Sequence, residues 1–228
     1  MAPAGPKLDA LQDAFTAPKG DSRADIELEL GRQFREAVYI FAVAEVIFAL
    51  ANLFGLGVGR VFDIKTVTPD QQAAMFEASI LRLFVADCLY AIRKQVRLPR
   101  QGKLVLAMAM AANVFLSARL ELVMGLEDPV SNSVVVVLLV IVIGPYAARE
   151  ALGLGLLAVV TFVLSTLFGP ADVEAVVRKQ RVITATPPLI VFSFAMAALS
   201  AVIYRTRREW AERVVDQKWM QDRLQDIA

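Results

Sequence analysis

Six long apolar blocks dominate the chain, at about 37–58, 74–95, 104–124, 133–149, 152–169 and 183–204, with polar, charged or glycine-containing stretches between them. Each block is about 17 to 25 residues, the length a helix needs to cross a hydrocarbon core about 30 Å thick. In lipid a helix satisfies its own backbone groups within one segment, so such blocks predict helices and not strands. The expected fold is therefore all-α: a polytopic membrane protein with a six-transmembrane-helix bundle and a C-terminal cytoplasmic helical stalk. Residues 1–36 precede the bundle, 37–204 form it, and 205–228 form the stalk. The fourth and fifth blocks are short, and Gly144, Pro145, Gly153 and Gly155 mark a tight connection between them. Ahead of the first block, Asp21 or Ser22 suits the N-cap of a short helix. Ile26, Leu28, Leu30 and Phe34 would lead that helix into the first span.

Composition narrows the function. The chain is 57% hydrophobic with a mean hydropathy of +0.55, more apolar than a soluble domain of this length. A net charge of +1 gives nucleic acid no footing. The absence of histidine removes the commonest metal ligand and proton shuttle, and with it any phospho-acceptor histidine. The lone Cys88 sits in an apolar block and allows no disulfide framework. Walker A, GxGxxG, CxxC, HExxH and GxSxG patterns do not occur. Gly55, Gly57 and Gly59 suit a loose helix end better than a phosphate loop. No enzyme activity, cofactor or metal site is expected within this chain. The first apolar run begins only near Ala37, too late for a signal peptide, so it is expected to remain in the membrane.

Charge then sets the orientation. Lys and Arg number five before the first span, five after the second (Arg93 to Lys103), one after the fourth (Arg149) and six in the tail. That makes seventeen on one side. The alternate loops hold Arg60 and Lys65, then none, then Arg178, Lys179 and Arg181: five on the other. The positive-inside rule places both termini in the cytoplasm and requires an even number of spans.

After Ile203 no glycine or proline interrupts the chain. A continuous helix there would project roughly 35 Å beyond the membrane. Trp210, Val214, Gln217 and Leu224 fall along its seam, with Ile203, Trp210, Gln217 and Leu224 at seven-residue spacing. The pattern suits a parallel coiled coil between two protomers, or a single amphipathic helix lying on the membrane surface. The helical pattern still runs at Ala228, so a further module is expected to follow.

From about Val134 onward the chain resembles the membrane regions of bacterial class III adenylate cyclases. Related sensor domains precede diguanylate cyclases and sensor kinases. The similarity is carried by the apolar fourth span, REALGLGLLAVVTF (149–162), FGPADV (168–173) and RTRREWAERVV (205–215). The closing DRLQDIA (222–228) looks like the linker found before PAS domains or cyclase modules. The resemblance implies an input domain in a bacterial inner (plasma) membrane that forms a parallel homodimer and regulates a C-terminal cyclase, PAS-linked or kinase module.

Ionisable residues within spans are costly and usually face a bundle interior or a cavity. Glu45, Asp87 and Asn113 lie at a shared depth, about 12 Å from the inner boundary. Asn52, Glu77, Arg82, Arg119 and Glu121 lie roughly 20–27 Å from it. One reading of the outer layer is a pocket for a small polar or lipid-like ligand. Another is a set of structural ion pairs such as Arg82 with Glu121, and a third leaves Glu77 and Glu121 at the interface. Glu45 and Asp87 also allow an ion or proton path, which makes a small channel or transporter the alternative function. A plain anchor with no stimulus of its own is the remaining reading. Pro187 and Pro188 suit either the first turn of the sixth span or a hinge that joins it to an outer loop at 170–182.

Overall fold

The computed structural model describes residues 22–61, 68–125, 131–169 and 173–227. Among them are six α-helices: α1 (Ser22–Val61), α2 (Pro69–Ile92), α3 (Pro99–Met124), α4 (Ser131–Ile143), α5 (Ala148–Leu167) and α6 (Ala175–Ile227). A short 3₁₀ turn, Arg93–Gln95, follows α2. No strand occurs among the described residues.

Local chemistry explains the ends. Thr68 and Gln71 form a capping box at the start of α2, the Thr68 amide donating to Gln71 Oε1 at 2.9 Å, with Pro69 at the first helical position. α3 closes on Gly125, whose φ of 65° is the left-handed cap that glycine adopts without strain. The cap expected at Asp21, or from the Ser22 side chain, lies outside the described residues.

Four helices contain segments long and apolar enough to cross a membrane: Arg23–Gly57, Pro99–Met124, Ala148–Leu167 and Ala175–Asp222. α2 falls short because Glu77, Arg82 and Asp87 interrupt its apolar run. α4 falls short in length, at 13 residues or about 20 Å. Gly144 and Pro145 stop it six residues before the predicted boundary at 149. Large apolar side chains such as Ile47, Leu50, Phe54, Phe84, Val160 and Phe194 are exposed on the outside of the bundle. A surface of that kind suits hydrocarbon and not water.

Three further boundaries differ from the sequence reading. The short pre-membrane helix and the first span are one unbroken 40-residue helix. Its lower half is packed, with Leu30, Phe34, Ala37, Val38 and Phe41 buried. The outer loop expected at 170–182 is helical from Ala175. Arg178 Nη1 donates to the Leu167 and Gly169 carbonyls, which ties the start of α6 to the end of α5. α6 therefore runs 53 residues, about 80 Å, with Pro187 and Pro188 inside it and not in its first turn.

The core centres on α1, α3 and α4, through residues such as Phe41, Met110, Val114, Val140 and Ile141. Two glycines permit close approaches. A Cβ on Gly31 would collide with the Arg97 carbonyl, and one on Gly155 would lie 2.5 Å from Ser193 Cβ. The first lets the chain after α2 cross α1; the second brings α5 against α6.

Candidate functional site

The buried face of α3 changes character along its length. Leu106 and Met110 are followed at helical spacing by Asn113, Ser117 and Glu121, all five at most 1% exposed. Steps of three and four residues keep these side chains on one stripe. The polar half of that stripe meets Glu45 and Phe48 of α1, Arg82 of α2 and Arg181 of α6.

The contacts form a chain of alternating charge. Asn113 Nδ2 donates to Glu45 Oε1. Arg82 Nη1 lies 3.8 Å from Glu45 Oε2, and its Nη2 donates to Ser117 Oγ at 2.8 Å. Ser117 Oγ in turn donates to Asn113 Oδ1 at 3.2 Å. The Arg82 guanidinium also sits 5.3 Å from the centre of the Phe48 ring. Farther along, Arg181 Nη2 donates to Glu121 Oε2 at 3.3 Å. The Glu121 carboxylate also attracts the Arg82 charge, which joins the two halves. Glu45, Arg82, Glu121 and Arg181 sum to zero charge, and each is at least nine-tenths buried. Neutrality is what makes such burial tolerable, since an uncompensated charge in this setting costs several kcal/mol.

Arg82 spans the two depths assigned from sequence, because its long side chain reaches the level of Glu45. The ion pair expected between Arg82 and Glu121 is thus extended: Glu45 is the carboxylate in contact with Arg82, and Arg181 is the cation in contact with Glu121. Asp87 does not join the inner layer. It lies five residues from Arg82, about 140° around α2, and is exposed. Glu77, five residues on the other side, is exposed for the same reason. Arg119 lies two residues from Glu121 and faces away from it. Asp70, Glu77 and Arg119 instead line a separate shallow groove of about 260 Å³ between α2 and α3. Asn52 is half-buried. The outer-layer residues are therefore divided between a closed interior and an open groove.

Arg181 and Ser117 escape a reading of the sequence for different reasons. Arg181 follows Arg178 and Lys179, so a hydropathy count assigns it to a loop. Ser117 lies four residues from both Asn113 and Glu121, a spacing that does signal a shared face. No group of three metal-ligating carboxylate or thiolate side chains occurs among the described residues.

On the opposite end, α6 is fixed to the rest of the bundle. Ser200 Oγ donates to the Tyr146 carbonyl at 2.6 Å, and Arg207 Nη2 to the Val142 carbonyl at 3.0 Å. Beyond the expected span, Ala211 is buried and the Arg32 guanidinium of α1 lies 5.8 Å from the Trp210 ring. Val214 is half-buried, whereas Gln217 and Leu224 are exposed. Comparison with protein-family models, curated proteins and solved structures finds no match for this chain.

Proposed function

We propose that this chain is a membrane sensor and dimerisation domain whose sixth helix regulates a cytoplasmic module. In this reading six helices lie in the bilayer, both termini face the cytoplasm, and two protomers pair in parallel through the stalk at 205–228. The observation that carries the reading is the continuity of α6. One unbroken helix holds Arg181 of the buried charge chain, Pro187 and Pro188, and the stalk residues Trp210 to Leu224. A change in the charge chain is thereby coupled to the stalk through a single continuous helix. A stimulus acts by favouring one of two packings of the bundle, and it does so only through different affinity for the two.

The alternative, an ion or proton path through Glu45 and Asp87, draws no support from the geometry. Asp87 faces away from Glu45, and Asn113 bridges Glu45 to Ser117. Liposome flux measurements distinguish the two functions directly.

The reading is tested by disulfide scanning in membranes, on a Cys88→Ser background, with single cysteines from Trp210 to Leu224. A parallel stalk gives cross-links at a seven-residue or three-and-four-residue period. Introducing Arg181→Gln is expected to shift the phase or strength of that pattern. Absence of cross-links along the whole stalk would remove the dimer, and an unchanged pattern in Arg181→Gln would remove the transmission.

A further inference from the structure

The first turns of α1, the start of α3 and the segment of α6 around Tyr204 enclose a groove of about 790 Å³. Four cations line it: Arg23, Arg100, Lys103 and Arg208. Glu27 is the acid in its wall, 3.9 Å from Arg23 in an exposed pair. Arg208 is turned toward Glu212 at 3.0 Å, and Lys103 toward Glu150 at 2.6 Å. Arg100 is exposed and makes no ion pair among the described residues. The positive end of the 26-residue α3 opens into the same space.

The rest of the wall is apolar. Leu98 is 46% exposed, half-buried Ile26 and Tyr204 continue the surface, and buried Leu30 lies at its back. Two walls set the level, the apolar runs ending near residue 104 on α3 and residue 204 on α6, while α1 enters from beyond it, its own run beginning at Ala37. That level is the headgroup layer of a bilayer, where tyrosine and snorkelling cations are favoured. A small soluble anion would use the cations but not the apolar wall. An anionic lipid uses both: its phosphate meets the cations, and its glycerol and first methylenes cover Leu98 and Ile26.

We propose that this groove between α1, α3 and α6 holds the phosphate headgroup of an anionic phospholipid. The site lies against α6 where the helix leaves the bundle, so the lipid bridges three helices at the base of the stalk. The inference needs only that the bundle lies in a bilayer. Its assay reads lipid retention and not signal output, so its failure leaves the sensor reading standing.

The test is native mass spectrometry of the full chain in detergent. Phosphatidylglycerol and phosphatidylcholine with identical acyl chains are offered at equal concentration. Phosphatidylglycerol is expected to be retained preferentially. Arg23→Gln with Arg100→Gln should weaken that retention by roughly twenty-fivefold, about fivefold for each cation removed. Arg119→Gln, in the separate groove, should leave it unchanged. Equal retention of the two lipids overturns the proposal, as does a preference that survives in the double variant. Glycerol phosphate bound as tightly as phosphatidylglycerol, with no gain from the acyl chains, would mean a soluble-anion site and would also overturn it. Should the double variant fail to fold, the unmodified chain decides. At about 1 M salt, where the Debye length is about 3 Å, the preference must vanish.

Discussion

The end of the bundle around Phe34 and Tyr146 and its middle are built on opposite plans. At that end, the two rings meet edge to face at 5.2 Å and 79°, and the nearby ion pair, Lys103 with Glu150, stays at the accessible rim. Charge is outside and hydrocarbon inside, as in a water-soluble protein. In the middle, Glu45, Arg82, Glu121 and Arg181 are enclosed, while Leu50, Phe54 and Phe84 point outward. The difference follows from the solvent. Where the surroundings are water, apolar burial holds helices together; where they are hydrocarbon, apolar contact offers little advantage over lipid, and polar contacts and close packing bind the helices.

The largest expected effect comes from breaking the middle. Arg82→Ala leaves Glu45 buried without its contacting cation, and should destabilise the bundle by about 3–5 kcal/mol in reversible detergent unfolding. Replacing the pair together, Glu45→Leu with Arg82→Met, should recover most of that loss, because both charges leave at once. A double variant as unstable as the single one would mean that the network holds the fold by something other than charge balance. At the aromatic end, Phe34→Leu tests packing alone. It should cost about 1.5 kcal/mol on the same scale, with no matching double variant able to restore it. Ser117→Ala, which removes one donor and acceptor from the network, should cost about 1 kcal/mol. The smallest effects belong to Glu77→Gln and Arg119→Gln on the open face of α2 and α3. Each should stay within about 0.5 kcal/mol, so any larger change in unfolding would show that the groove they line is structural.

Most of the helices were legible in the sequence, because an apolar run of bilayer length has few other physical meanings. The ends of those helices were less so. α1 begins fifteen residues before its apolar run at Ala37, since Leu30 and Phe34 find partners that hydropathy does not count. α6 begins at Ala175 because Arg178 and Arg181 are used inside the structure, one on carbonyls and one on Glu121. Arginines in a loop and arginines in a buried network look alike one residue at a time. Within the site, the shared depth of Glu45 and Asn113 was visible from counting along the spans. Which face each charge occupies was not, and that separates Arg82 from Glu77 and Asp87 on one helix. The 100° turn per residue decides it once the buried side of α2 is known.

The prolines of α6 divide it into unequal arms. From Arg181 to Pro187 is six residues, about 9 Å; from Pro188 to the end of the helix is about 60 Å. Beyond Pro188 the longer arm is clamped where Ser193 meets Gly155, and again at the Tyr146 and Val142 carbonyls. A proline inside a helix leaves the carbonyl one turn back without its usual donor. The weakest rungs of α6 therefore fall between two anchored points, the Glu121 contact on one side and that clamp on the other.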